Sequence, residues 1–280
     1  MRWTKYAEII KKIPSPIYKC LAQAWYDKRY PRHLFIELTR SCNLHCPYCP
    51  RQRAEESPHM DFRLFKQLIQ EAKMYGPRSF SLHLFGEPLL YPSILEAISY
   101  IKQANKSNTV ILTTNGTRLD DFSEHLIRSG VDKIIISEKK ETNISEKTRK
   151  ELKKWRKVEV RELEGSGEGE NKSLRNLPRK KRELHNYGGS LKSLSTSSKG
   201  KNRWPCYHLW FAPAVAYNGD FLICCADPKH QSRIGNVRMW SISQMWKSPR
   251  MEYLRKAHRE GKYDSICRNC DTWKYYPSFF

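Results

Sequence analysis

Between residues 34 and 163 the spacing of apolar positions switches repeatedly between two and about three and a half. Residues 34–39 (LFIELT) form a short apolar run of strand length. Phe62, Phe65, Leu68, Ile69 and Ala72 then recur on one helical face, with Asp61 at the expected N-cap. Residues 79–85 (SFSLHLF) alternate as a strand. Ser93 and Glu96 have the form of a capping box, and Ile94, Ala97, Ile98 and Ile101 continue a helical stripe. A third strand is predicted over 109–114, a turn at Asn115-Gly116 and a helix over 119–129. A strand over 131–137, a basic helix over 145–157 and a fifth strand over 158–163 follow.

Strands and helices alternating with short connections predict a parallel sheet wrapped by helices, curling into a barrel or part of one. In such folds chemistry collects at the C-terminal ends of the strands. Four such ends carry polar or reactive residues: the triplet Cys42, Cys46, Cys49; Gly86-Glu87; Asn115-Gly116; and Ser137-Glu138. From 164 to 203 Gly, Ser, Lys and Arg dominate, which predicts a basic linker or lid, with His185-Asn186-Tyr187-Gly188-Gly189 as a compact island inside it. Residues 204–280 predict a second unit. Asn218-Gly219 between apolar runs marks a hairpin, and short helices are expected near 241–246 and 249–258. This unit is too small to fold securely on apolar burial alone. Residues 1–33 read as a basic helical segment with no apolar h-region, and no run is long enough to span a bilayer.

The chain has 280 residues, 39% of them hydrophobic, and a formal charge of +22. That charge favours anionic partners without choosing among them, and a solvated surface explains it equally well. The nine cysteines are clustered, which reads as metal ligation in a reducing cytoplasm rather than as a disulfide scaffold.

Cys42, Cys46 and Cys49 have the spacing C-x3-C-x2-C. Three thiolates can hold one face of an iron–sulfur cube and leave one iron open, whereas structural zinc needs a fourth ligand. His45 or His59 is the zinc alternative. A second set comprises Cys206, Cys224, Cys225, Cys267 and Cys270. Four of these suffice for a fully ligated [4Fe–4S] cluster or, by spacing alone, for a zinc ribbon. Cys20 stands apart and is most simply a buried apolar residue.

The triplet with Tyr48 before its third cysteine, FGEP at 85–88, TTNG at 113–116 and IIIS at 134–137 together resemble the radical S-adenosylmethionine superfamily. The resemblance implies a partial (β/α)6 TIM-like barrel over 34–163. It implies that Cys42, Cys46 and Cys49 ligate a [4Fe–4S] cluster whose open iron binds S-adenosylmethionine. Gly86 and Glu87 would receive the methionyl ammonium, Tyr48 would lie near the adenine, Asn115 would face the pocket floor, and Ser137 or Glu138 would contact the ribose. Residues 204–280 resemble the SPASM and shorter twitch extensions. Cys206, Cys224, Cys267 and Cys270 would then hold one auxiliary [4Fe–4S] cluster, with Cys225 as the spare or in exchange for Cys224.

The implied chemistry is reductive cleavage of S-adenosylmethionine to a 5′-deoxyadenosyl radical that abstracts hydrogen from a substrate carbon. An external one-electron donor, flavodoxin- or ferredoxin-like, is expected. The leading expectation is dehydrogenation of a small polar molecule, sugar- or cyclitol-like. The alternative is modification of a peptide or protein. A zinc-stabilised nucleic-acid-binding protein is the distant third, since Trp204, Trp210, Trp240 and Trp246 suit a core better than stacking platforms.

Overall fold

The structure is a computed structural model that describes residues 26–51, 58–164, 171–191, 203 and 205–275. Most of the expected N-terminal helical segment therefore lies outside the described residues. Two compact units are present. One comprises Phe35–Leu184 with Ala216–Gly219, the other Met1–Leu34, His185–Val215 and Asp220–Phe280.

The first unit is built on strands β1 (His33–Ile36), β2 (Ser79–Ser81), β3 (Thr109–Thr114), β4 (Lys133–Ser137), β5 (Val158–Glu164) and β6 (Arg179–Glu183), in the order β6-β5-β4-β3-β2-β1. The pairings from β2 to β6 are parallel, with Ile111 opposite Lys133, Ile134 opposite Val158 and Val160 opposite Arg179. A parallel neighbour needs a crossover. Helices α1 (Phe62–Lys73), α2 (Ile94–Ala104), α3 (Leu119–Ser129) and α4 (Glu146–Trp155) supply the first four. Ile36, Phe80, Leu82, Val110, Leu112, Ile134, Ile136 and Val160 form the buried core. The α/β class and the parallel sheet agree with the partial-barrel expectation.

Local chemistry explains the helix ends. Asp61 caps α1 by accepting from Arg63 N at 2.7 Å and Leu64 N at 3.1 Å. Ser145 caps α4 through Thr148 N, and Gly130 closes α3 in the left-handed region at φ +94°. Ser93 departs from expectation: its side chain makes no cap bond, because a 3-10 turn over Pro88–Leu90 leads into α2 and Ile94 N bonds back to Tyr91 O. Strand β2 is shorter than its alternation predicts. Leu82 N still reaches Ile111 O at 2.9 Å, after which the chain leaves the sheet to bring Gly86 against Thr39.

The stretch read as a linker is more ordered than its composition suggests. The sheet continues past residue 163 into β6, five residues in parallel register with β5. That strand (RKKRE) carries no apolar alternation, so nothing in its pattern marked it. Arg179 pairs with Glu138 at 2.7 Å and Lys181 approaches Glu162 at 3.9 Å.

In the second unit, β7 (Ala214–Val215) pairs antiparallel with β8 (Asp220–Leu222) through the predicted turn, where Gly219 has φ +91°. A third strand, β9 (Arg233–Asn236), joins β8 with an irregularity at Phe221/Leu222. Its single apolar residue, Ile234, hid it from the pattern. Helix α5 is a single turn (His208–Phe211). Helix α6 (Ile242–Trp246) has a capping box from Ser241 and Gln244, and α7 (Pro249–Arg259) starts on Ser248 with proline in its first turn. Trp210 and Trp246 are buried core, as expected, whereas Trp240 is exposed. Trp204 lies outside the described residues. No helix among the described residues is long and apolar enough to cross a membrane.

Replacing Asp61 with Ala removes the acceptor for two backbone donors. The expected cost is about 1 kcal/mol, read as a lower urea midpoint at unchanged slope for the first unit's transition.

Candidate metal centres

The loop after β1 carries Cys42, Cys46 and Cys49, all partly exposed. Cys49 N bonds to Cys46 O at 3.0 Å, folding the C-x2-C segment into a turn. Cys42 Sγ accepts from the backbone N–H of Leu44. Asn115 Nδ2 lies 4.0 Å from Cys42 Sγ and donates to Asn43 Oδ1 at 2.9 Å, while Asn43 Nδ2 donates to Thr117 Oγ1 at 2.8 Å. Asn115 thus braces the cysteine loop with its amide. His59 Nδ1 is engaged with Thr39 Oγ1 at 2.9 Å, and His45 is exposed. Neither histidine sits in a cluster of candidate ligands among the described residues.

The second strand end is held by Glu87, whose residue is 2% exposed. Its Oε1 accepts from Leu89 N at 3.0 Å and Thr114 Oγ1 at 2.7 Å, and its Oε2 accepts from Asn115 N at 2.7 Å. Glu87 N donates to Ser41 O at 2.7 Å. One residue therefore ties the loop ends after β1, β2 and β3 together. Burial pushes its carboxyl pKa up, against the three donors that favour the ionised form. Gly86 makes the approach possible: a Cβ there would lie 2.0 Å from Thr39 O. The ammonium role expected of Glu87 must share an oxygen already bonded to the protein, while Gly86 keeps its backbone against the cysteine loop.

At the end of β4, Glu138 is buried and committed, with Oε1 accepting from Asn171 N and Oε2 from Arg179, each at 2.7 Å. Of the two ribose candidates this leaves Ser137 uncommitted. Lys139, 5% exposed, was not anticipated. Its Nζ contacts Tyr48 OH and lies 4.6 Å from the Tyr48 ring centroid, so it orients the aromatic of the cysteine loop. Its position directly after Ser137-Glu138 was the available signal. Arg179 and Lys181 serve the sheet through Glu138 and Glu162.

The second unit brings Cys206, Cys224, Cys267 and Cys270 together as buried thiols that act on one another electrostatically. Burial, reinforced by Cys270, pushes the Cys206 thiol up to about 12. Burial likewise raises Cys267. Four buried thiols in mutual range are an unfavourable set unless a metal centre takes the protons' place. Their surroundings suit one: Cys206 Sγ accepts from the His208 backbone, Cys224 Sγ from Ala226 N at 3.2 Å and Cys270 Sγ from Thr272 N at 3.3 Å. Such N–H donors stabilise sulfur that carries negative charge.

Cys225 is partly exposed, hydrogen-bonded to Cys224 and 3.8 Å from His208 Nε2, while His208 Nδ1 pairs with Ala212 O at 2.8 Å. Among the described residues, only His208, Cys224 and Cys225 have three ligand atoms mutually within 4.8 Å. Tetrahedral zinc thiolates lie about 3.8 Å apart, from a metal–sulfur bond of about 2.3 Å. Among the described residues neither the triplet nor the quartet is drawn together to within 4.8 Å.

The island at 185–189, which the sequence suggests as an ordered loop over the site, clamps the C-x2-C loop. Asn186 is fully buried. Its backbone N donates to Asp271 Oδ1 at 2.9 Å, its Nδ2 donates to Asn269 O at 2.6 Å, and its Oδ1 accepts from Gly189 N at 3.1 Å. Gly188, at φ +63°, passes so close to Ala226 O that a Cβ would lie at 3.1 Å.

Comparison with known proteins agrees with this geometry. Residues 36–163 match the radical SAM superfamily, and residues 206–271 match the SPASM iron–sulfur cluster-binding domain. The chain belongs to the radical SAM superfamily and carries a C-terminal SPASM-type domain. It is accordingly a radical SAM enzyme, with a [4Fe–4S] cluster, S-adenosylmethionine and auxiliary iron–sulfur as its cofactors, and enzymes of this superfamily take an electron from an external donor.

Among curated relatives it is 35% identical over 103 residues to the GTP 3′,8-cyclase of Chlorobaculum tepidum, covering 36% of this chain and 31% of that protein. It is 30% identical over 110 residues to the tungsten-containing aldehyde ferredoxin oxidoreductase cofactor-modifying protein of Pyrococcus furiosus, covering 38% of this chain and 30% of that one. These matches span about a third of each relative. The solved structure of BtrN in complex with AdoMet and 2-DOIA aligns with a TM-score of 0.65 at 22% identity, over 86% of this chain and 92% of BtrN. Streptococcus suis SuiB bound to its precursor peptide SuiA aligns at 0.58 and 17% identity, over 91% and 72% of the two chains. At these identities the likeness is one of fold.

In Glu87→Gln, whichever way the amide turns, its NH2 meets a backbone N–H, of Leu89 or of Asn115. The expected loss is about 1–3 kcal/mol, with iron lost from the Cys42 loop after reconstitution while iron in the second unit is retained. Asn186→Ala is expected to show the opposite pattern, losing iron from the second unit first. Iron analysis alongside thermal melts checks both.

Proposed function

We propose that this enzyme dehydrogenates a small polar molecule, with Cys42, Cys46 and Cys49 holding the cluster that binds S-adenosylmethionine and Cys206, Cys224, Cys267 and Cys270 holding a second one. The observation that carries the reading is the contrast between three half-exposed thiols on one loop and four buried thiols on clamped loops. Three ligands leave one iron for an exogenous chelate; four leave none. When bound, the first cluster and S-adenosylmethionine supply a 5′-deoxyadenosyl radical after one electron from the external donor.

The protein's own residues prepare that chemistry. Asn115 and Asn43 hold the cysteine loop, and Glu87 fixes the strand ends around it. Gly86 offers close backbone to the methionyl ammonium, Tyr48 with Lys139 lines the adenine side, and Ser137 faces the ribose. The substrate carbon gives a hydrogen atom to the radical, forming 5′-deoxyadenosine. Cys206, Cys224, Cys267 and Cys270 would hold a centre able to accept one electron from the substrate radical and pass it to the external carrier, one proton going to solvent, for a net two-electron oxidation. A centre with four protein ligands has no coordination site for substrate, which suits electron transfer. The likeness to BtrN with AdoMet and 2-DOIA supports a small substrate. The likeness to SuiB with its precursor peptide supports a peptide as the second reading.

The test is anaerobic reconstitution, reduction and mass spectrometry against a panel of aminocyclitols, sugars and peptides. The expected product is two mass units lighter than its substrate and equimolar with 5′-deoxyadenosine. A redox-neutral product would overturn the oxidation reading, and turnover of peptides alone would favour the second. Joint replacement of Cys42, Cys46 and Cys49 with Ala is expected to abolish 5′-deoxyadenosine formation and leave iron in the second unit. Cys224→Ala is expected to strip that iron, and Cys225→Ala to spare it.

A further inference from the structure

We propose that Arg203 is the counter-charge of the auxiliary iron–sulfur centre and raises its reduction potential, an inference that rests on the assignment of that centre to Cys206, Cys224, Cys267 and Cys270. Arg203 stands three residues before Cys206. Its guanidinium carbon lies 3.7 Å from the Tyr263 ring centroid and 5.7 Å from that of Trp273. Tyr263 OH donates to Arg203 O at 3.0 Å, so main chain and side chain are both fixed.

The held cation lacks an anion. Among the described residues no carboxylate pairs with it, and its Nε is buried without a hydrogen-bond partner. A second donor beside Cys206 is in the same position. Cys206 N donates to His258 Nδ1 at 3.4 Å, which leaves the ring hydrogen on Nε2, and that atom is buried without a partner. A donor withdrawn from water without an acceptor is unfavourable.

Candidates for negative charge within its reach are the sulfurs of Cys206 and Cys267. The field of Arg203 reaches both Cys206 and Cys267 and favours each as thiolate. A cube held by four thiolates carries net negative charge, and reduction adds one more electron. A fixed cation therefore stabilises the reduced form more than the oxidised one, and the centre becomes a better electron acceptor. That is the property the second unit needs in order to take an electron from a substrate radical.

The measurement is an EPR-monitored redox titration of the auxiliary cluster in the protein lacking Cys42, Cys46 and Cys49, reconstituted anaerobically with iron and sulfide. In that background Arg203→Gln is expected to weaken reduction about tenfold, a drop of about 59 mV for a one-electron couple, whereas Arg203→Lys keeps the parent value. An unchanged midpoint for Arg203→Gln at full iron content overturns the proposal. If Arg203→Gln fails to hold iron, Arg203→Lys decides. Retention of the cluster supports the charge role, and equal loss overturns it in favour of packing alone. Should the parent background bind no iron–sulfur cluster, the assignment of the four cysteines fails and the proposal falls with it.

Discussion

The first unit depends on one buried carboxylate. Glu87 gathers donors from Leu89, Thr114 and Asn115, and its own amide reaches Ser41. Parallel strands are paired along their length but not at their ends, where loops of different lengths must be brought to one place. A carboxylate is suited to that task because two oxygens can accept several N–H and O–H donors at once. Its burial makes each bond harder to replace, since a lost partner leaves a charge or a donor without water. The requirement for glycine at position 86 follows from the same convergence: Thr39 O occupies the space a side chain would need.

The second unit solves a different problem. It has short strands, a one-turn helix and two further helices, with Trp210, Trp246 and the buried Arg255 guanidinium as its packing centre. Arg255 donates Nε to Leu209 O at 2.8 Å and Nη1 to Trp246 O at 3.0 Å, while its Nη2 is buried without a partner among the described residues; the guanidinium lies 4.2 Å from the Trp246 ring centroid. The C-x2-C loop is held by polar contacts, chiefly those of Asn186. Ligation of a metal centre by buried thiols couples its binding to folding.

Much of this was legible in the amino-acid sequence. Asp61 as a cap, the stripes of α1, α2 and α3, the hairpin at Asn218-Gly219 and the two cysteine sets follow from local rules of spacing and turn chemistry. What escaped was non-local. Strand β6 exists because β5 offers it backbone partners, although its residues are Arg, Lys, Lys, Arg and Glu. Strand β9 has one apolar side chain for the same reason. Ser93 has a capping sequence but not the geometry, because the turn before it had already set the chain's direction.

The sequence by itself determined the number of cysteines in each set, their spacing, and the strand ends on which the catalytic loop residues stand, because these are properties of neighbours along the chain. Only tertiary structure decided which partners those residues take. It turned Asn115 toward the cysteine loop, tied Glu138 to Arg179, set Cys225 against Cys224 and His208, and placed Lys139 against Tyr48 and Arg203 over Tyr263. Burial and charge pairing join residues distant in sequence, and their strength depends on what else has left water with them.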